Sequence, residues 1–375
     1  MVIIARYGEL HLKGGNKEYF LRILLNNIKR KLMAKITSES SRIIIRDFDN
    51  ADTVLNILSK TFGIVSASVA IVCASTEEAI TEKVATLKID GKFKVNVNRG
   101  WKKFPIQSMD FARQCGGIII DSNQTATVDV HNPQTSVNID IRDTETYIYD
   151  KVTKCPGGLP VGTGGRGIAL LSGGIDSPVA SYLSAKRGLN IDFVHFATPP
   201  YTSDSALEKI TDLQKILHNY TGKSRLFVVP FTNISKSIYK NCDNKYMITI
   251  MRRFMVRIAE EIGVKNGAGV IITGENLAQV ASQTIEGMTS NNFCATRLPI
   301  LRPLITFDKH EIIDIAKQIG TFDTSVIPHA DCCTVFVPRN PSIKPAIADV
   351  EKEELKLDIT ALVKEAVDGV EITTI

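Results

Sequence analysis

The sequence predicts a multidomain chain of α/β and α+β type: a ferredoxin-like N-terminal sandwich, a second α+β unit, and a doubly wound parallel sheet. Three observations predict it. Extended and helical segments alternate through the first 150 residues, six glycines and two prolines crowd into residues 155–167, and beyond them short apolar stretches alternate with helical ones. Glycine and proline at that density continue neither a helix nor a central strand, so the run marks a linker. The near-continuous apolar strands after it are the pattern of a parallel sheet covered on both faces.

In chain order, an extended run from Val2 to Leu10 precedes a helical stretch from Asn16 to Ala34, with Phe20, Leu24, Ile28 and Leu32 on one face. A strand at Arg42 to Arg46, a helix at Asp52 to Thr61 and a β-rich run at Val65 to Val72 complete a βαβαβ order, the basis for the ferredoxin-like reading. The second unit reads as helix Thr76 to Leu87, strand Phe93 to Val97 and helix Ser108 to Ile118. Thr125 to Val130 and Val137 to Tyr149 then form a strand pair around His131-Asn132-Pro133-Gln134. The third part offers strands at Ile168 to Leu171, Ile191 to Phe196, Leu226 to Val229 and Val270 to Thr273.

A length of 375 residues with 44% hydrophobic and 23% charged side chains is globular composition and excludes disordered, collagen-like and disulfide-stapled chains. No segment approaches the roughly 18 apolar residues of a membrane span, and Met1 to Tyr7 lacks a basic, then apolar leader. A cytoplasmic protein with no membrane partner is expected. The seven cysteines are odd in number and scattered, which fits reduced thiols. The net charge of +5 is a sum of unlike parts. Residues 1–155 hold 22 Lys and Arg against 17 Asp and Glu, residues 156–345 carry another +5, and residues 346–375 carry −5. Two basic blocks suit a polyanionic partner.

The chemistry concentrates in Ile168-Ala-Leu-Leu-Ser172-Gly-Gly-Ile-Asp176-Ser177-Pro: a buried strand, a glycine-rich turn and a helix start. Glycines bring backbone N–H groups close to an anion, Ser172 and Ser177 add hydroxyls, and the helix supplies its positive end. It is a phosphate cradle without the usual P-loop lysine, so Mg²⁺ is expected to bridge the phosphate oxygens, with Asp176 as anchor. Ligands of open α/β sheets lie beyond the carboxyl ends of the strands. That rule nominates Leu170, Leu171, His195, Phe196 and the run Thr273-Gly274-Glu275.

The turn Ser172-Gly173-Gly174-Ile-Asp176-Ser177 resembles the PP-loop of ATP pyrophosphatases, which cut ATP between the α- and β-phosphates and adenylate a substrate. Further runs sharpen the resemblance: Thr273-Gly-Glu-Asn-Leu-Ala-Gln-Val-Ala-Ser-Gln-Thr284, Leu298-Pro-Ile-Leu-Arg-Pro-Leu304, Asp308-Lys-His-Glu-Ile-Ile313 and Ile319-Gly-Thr-Phe-Asp-Thr-Ser325. With Arg6-Tyr-Gly-Glu-Leu-His-Leu-Lys-Gly-Gly-Asn16 and Gly158-Leu-Pro-Val-Gly162, nearly the whole chain is similar to the tRNA 4-thiouridine synthetases, or tRNA sulfurtransferases. The resemblance implies a ferredoxin-like domain at 1–58, a THUMP RNA-binding domain at 59–155 and a PP-loop pyrophosphatase domain at 156–375. It implies an ATP site of Leu170, Leu171, His195, Phe196, Arg252, Gly274 and Gln283, to which the cradle adds Ser172, Gly173, Gly174 and Ser177. Ala278 stands where the family usually has Gly, a change expected to alter packing at most.

The family's sulfur-handling cysteine falls in Asp331-Cys332-Cys333-Thr334-Val335, and the spacing to Thr334 favours Cys333 over Cys332. A thiolate or persulfide is needed there because sulfur is the nucleophile. Many relatives continue into a rhodanese domain with a second reactive cysteine, and this sequence matches the short form. A cysteine desulfurase or another sulfur donor is the expected protein partner, and a homodimer stays open. Arg99, Lys102 and Lys103, beside the single Trp101, are the candidate RNA contacts. The implied reaction adenylates O4 of uridine 8 in tRNA with ATP and then installs sulfur. The alternatives are a 2-thiouridine thiolase or sulfur transfer toward the thiazole of thiamine.

Overall fold

Strand β1 (Val2–Tyr7) is apolar and buried from Val2 to Ala5, the pattern of an interior strand with neighbours along both edges. The computed structural model, which describes residues 1–39, 42–328 and 341–375, supplies them. The chain runs from β1 through helix Lys17–Lys29 to β2 (Lys35–Glu39) and β3 (Arg42–Arg46), then through helix Ala51–Leu58 to β4 (Ile64–Ala74). Both β3 and β4 lie antiparallel to β1, with β2 outside β3. The resulting βαββαβ order is the ferredoxin-like arrangement with one strand more than the sequence suggested. In β2 only Ile36 is buried, so this edge strand has no apolar alternation to betray it. The expected extended run also stops early: Glu9–Asn16 form a 3₁₀ turn, and the helix ends at Lys29.

Strand β4 then joins the two halves of one continuous sheet. Its first part pairs with β1 and its last residues, Ile71 to Ala74, with β8 (Glu145–Tyr149). Between them come helix Glu77–Ala85, β5 (Gly91–Arg99), helix Ser108–Ser122, β6 (Ala126–Val128) and β7 (Thr135–Ile141), and β9 (Thr153–Lys154) follows β8. The strand order is β2-β3-β1-β4-β8-β7-β5-β6, with β9 on β4. Two sequence expectations change here. The long run Val137 to Tyr149 breaks into the antiparallel pair β7 and β8, and β6 and β7 lie parallel on opposite sides of β5 instead of pairing with each other. The turn between them bonds to β5: Asp129 N–H donates to the Phe93 carbonyl at 2.8 Å and Gln134 N–H to that of Lys92 at 2.7 Å. Phe93, Phe104, Phe111, Cys115 and Ile119 fill the core beneath. Asp140, 1% exposed, is held by Arg42 at 2.6 Å and Arg142 at 2.9 Å, which ties β3 to β7.

The chain divides into two units, Met1–Gly158 and Leu159–Ile375. In the second, β10 (Arg166–Leu170), β11 (Asn190–Ala197), β12 (Arg225–Pro230), β13 (Val270–Ile272) and β14 (Ile300–Leu301) are parallel, and β15 (Glu371–Thr374) closes the β12 edge antiparallel. The order β14-β13-β10-β11-β12-β15 puts the reversal of direction beside β10. A crevice therefore opens between the carboxyl ends of β10 and β13. The two edge strands β14 and β15 escaped the sequence reading because they are only two and four residues long.

Candidate active site

The turn after β10 leads straight into helix Asp176–Lys186. Its ends are tied by serines: Ser172 N–H donates to Ser177 Oγ at 2.9 Å, and the two hydroxyl oxygens lie 3.1 Å apart. Gly274, just past β13, packs against this helix start. A Cβ there would sit 2.8 Å from Ser177 N and 2.9 Å from Ser177 Cα, both backbone atoms, so only glycine fits. The close approach brings the ends of β10 and β13 together around one cleft.

That cleft, of about 240 Å³, is lined by Leu170, Leu171, Ser172, Gly174, Asp176, Ser177, His195, Phe196, Arg252, Gly274 and Gln283. Thr273 and Glu275 line it too, so thirteen of the residues nominated from sequence converge on one space. Gly173 lies in the same turn, over the side chain of Lys209, but does not line the cleft. Phe196 is buried edge-on to Phe231, and with Val194, Met255 and Val256 it forms an apolar wall. His195 Nδ1 is 3.0 Å from the Leu171 carbonyl; a carbonyl only accepts, so Nδ1 carries the proton.

The turn itself holds no lysine, but two lysines reach it from other elements. Lys309 Nζ lies 2.6 Å from Asp176 Oδ1, delivered by the first turn of helix Lys309–Ile319, whose start is fixed by a capping box of Asp308 and Glu311. Lys209, 8% exposed, donates to the carbonyls of Ser325 at 2.9 Å and Ile327 at 2.7 Å while its side chain passes under Gly173. Neither lysine has a sequence signal of the P-loop kind. Lys309 stands in the Asp308-Lys-His-Glu run, and Lys209 sits on a helix where a lysine normally faces water.

Gln279 Nε2 donates to Asp176 Oδ2 at 2.8 Å, and its own Oε1 is buried with no partner. A carboxylate beside an unsatisfied amide oxygen is a donor set that suits Mg²⁺, which takes one or two protein oxygens and completes its shell with phosphate and water. Among the described residues no cluster of three His, Cys, Asp or Glu forms an all-protein metal site.

Gln279 is presented by a tight loop in which Ala278 N–H donates to the Gln283 carbonyl at 2.8 Å and Ala278 has φ of +62°. The expectation for Ala278 is thereby corrected: the side chain is exposed, and what distinguishes the position is a left-handed backbone that glycine adopts freely and alanine does not. Arg252 donates to Glu275 Oε1 at 2.7 Å. Burial raises the pKa of Glu275, but Arg252 and Arg302 outweigh it and hold the carboxyl below its ordinary range.

Cys332 and Cys333 lie outside the described residues. The other five thiols are kept protonated by burial, Cys115 pushed up to about 12 and Cys73, Cys155, Cys242 and Cys294 to about 11. In the first unit, Lys102 and Lys103 are exposed, but Arg99 donates to the carbonyls of Phe104 at 3.0 Å and Ile106 at 3.3 Å and so shapes the loop. Trp101 packs partly against the core.

Comparison with known proteins matches residues 162–359 to the family model described as thiamine biosynthesis protein (ThiI). Residues 2–68 match the ThiI ferredoxin-like domain and residues 72–150 the THUMP domain. A probable tRNA sulfurtransferase of Moorella thermoacetica is 43% identical over 100% of this chain and 97% of its own length. One of Halothermothrix orenii is 44% identical over 100% and 98%. The crystal structure of a 4-thiouridine synthetase–RNA complex with bound ATP superposes with a TM-score of 0.92 at 36% identity, covering 100% of this chain and 99% of that one. The PH1313 structure from Pyrococcus horikoshii gives a TM-score of 0.66 at 26% identity over 85% of this chain and 99% of its own.

Proposed function

The chain belongs to the ThiI family of tRNA sulfurtransferases, and on that premise we propose that it uses ATP to adenylate O4 of uridine 8 in tRNA and then replaces that oxygen with sulfur, giving 4-thiouridine. The observation that carries the reading is the convergence of the Ser172–Ser177 turn, Gly274, Arg252 and Asp176, which Lys309 pairs, on one cleft at the switch point of the sheet. Adenine lies against the Phe196 wall, with strand-end backbone groups at Leu170 and Leu171 reading its edge. The phosphates lie over the turn, where backbone N–H groups and the start of helix Asp176–Lys186 favour negative charge.

Attack of uridine O4 on the α-phosphorus breaks the bond to the β-phosphate, and pyrophosphate leaves. Lys309 stabilises charge that builds on the departing oxygens. Asp176 and Gln279 would hold Mg²⁺, which when bound neutralises phosphate charge. The terminal sulfur of a persulfide on Cys333, or on its neighbour Cys332, then adds at C4 and expels AMP; a thiolate from a thiol reductant attacks the cysteine sulfur of the resulting S–S bond, releasing 4-thiouridine and leaving a disulfide that a second thiol reduces. The strongly raised pKa of all five described thiols supports seeking the nucleophile in that pair. A cysteine desulfurase or another sulfur donor loads the cysteine. The exposed Lys102 and Lys103 of the THUMP domain contact the tRNA backbone. A role in tRNA modification puts the chain's site of action in the cytoplasm; among the described residues no helix is long and apolar enough to cross a membrane.

Incubation of unmodified tRNA with ATP, Mg²⁺ and a desulfurase tests the reading. Asp176→Ala is expected to lower 4-thiouridine formation at least a hundredfold, and full activity would remove Asp176 from the site. Cys333→Ser is expected to fail with the desulfurase; unchanged activity would exclude that cysteine.

A further inference from the structure

Glu275 is a carboxylate on the wall of a cleft read as a triphosphate site, the wrong sign of charge to touch phosphate. It is 6% exposed, and every donor around it is accounted for. Oε1 accepts from Arg252 Nη1 at 2.7 Å and from Asn291 Nδ2 at 3.2 Å. Oε2 accepts from Arg302 Nε at 2.7 Å and from Thr273 Oγ1 at 3.0 Å. Two guanidiniums that would repel each other are thus bridged by one anion, which leaves a single net positive charge. Arg302 does not line the cleft, and its Nη2 donates to Asn292 Oδ1 at 2.9 Å. Arg252 does line it, from the second turn of helix Met247–Lys265.

We infer that Glu275 is a positioning residue, which holds the Arg252 guanidinium in register with Gly274 and the phosphate cradle without contacting ATP itself. The chain makes this register direct, because Glu275 follows the glycine that packs on Ser177. A freely rotating arginine would lose side-chain entropy on each binding event; one fixed by a buried carboxylate has lost it on folding. The two guanidiniums keep that carboxylate ionised, as the lowered pKa of Glu275 indicates. A glutamine in its place would turn an NH₂ group toward one of the two arginines, donor against donor.

The inference rests on the assignment of this cleft to ATP, and its test separates the two. ATP affinity is measured without tRNA or sulfur donor for the wild-type chain, Glu275→Gln, Arg252→Gln and the double variant. Each single change is expected to weaken binding about tenfold or more, and the double variant to bind within twofold of Arg252→Gln, because Glu275 acts through that side chain. A double variant that loses the product of the two single effects would overturn the role. Should Glu275→Gln fail to fold, Thr273→Val removes one donor to the carboxylate and keeps both ion pairs. It is expected to weaken ATP two- to threefold in the wild-type background and not at all beside Arg252→Gln; the same loss in both backgrounds overturns the role. A wild-type chain that bound no ATP would refute the assignment of the cleft, and the role of Glu275 with it.

Discussion

Ala278 shows how much one backbone angle adds to what a sequence says. Its own N–H closes the loop onto the Gln283 carbonyl, its neighbour Gln279 reaches Asp176, and the position has a φ of +62°. Holding a non-glycine residue there costs about 1–2 kcal/mol, partly offset in any glycine variant by the extra freedom of the unfolded chain. Ala278→Gly is therefore expected to stabilise the protein by about 0.5–1 kcal/mol, read by denaturant unfolding. A loss of stability would mean that the angle carries no strain. The nominated ATP residues were legible because strand ends and a glycine-rich turn leave a pattern. Lys309 was visible only as part of a motif, and Lys209 not at all, since a buried lysine on an amphipathic helix looks like a solvated one.

At the scale of elements, the helix Ile347–Glu354 is fastened to helix Met247–Lys265 by a buried cluster. Glu354, 3% exposed, accepts from Arg253 at 2.8 Å and from Arg257 at 2.6 Å. Burial raises the Glu354 pKa, yet the two arginines hold it net below the ordinary value. A carboxyl whose folded pKa is depressed stabilises the fold above its unfolded pKa, and that contribution disappears as pH falls through the folded value. Stability is thus expected to drop below roughly pH 4, and Glu354→Gln to flatten this dependence. At neutral pH the same change should cost about 3–5 kcal/mol, because it leaves buried guanidiniums short of their anion. Urea titrations from pH 3 to pH 7 check both, and parallel curves for the two proteins would exclude the cluster. The elements that escaped sequence reading share one cause. Strands β2, β14 and β15 are edge strands, polar or very short, and gain their order from a neighbour's hydrogen bonds and not from apolar periodicity.

For the whole molecule, the net charge of +5 resolves into +5 on residues 1–155, +5 on residues 156–345 and −5 on residues 346–375. Both basic blocks fall on parts with a task in tRNA modification, so tRNA affinity is expected to fall with a negative slope of log K against log salt. A flat dependence between 50 and 200 mM salt would contradict an electrostatic tRNA surface. The fold class was open to sequence reasoning because apolar runs and the glycine-rich linker report layers directly. The shared strand β4 was hidden, because pairing partners far apart in sequence leave no local trace. The central claim, that one cleft adenylates tRNA for sulfur insertion, is tested most directly by nucleoside analysis of unmodified tRNA after incubation with the protein, ATP and a sulfur donor. The account predicts one 4-thiouridine per tRNA, at position 8, with one AMP and one pyrophosphate released for each. Pyrophosphate released without tRNA, or 2-thiouridine in place of 4-thiouridine, would contradict it.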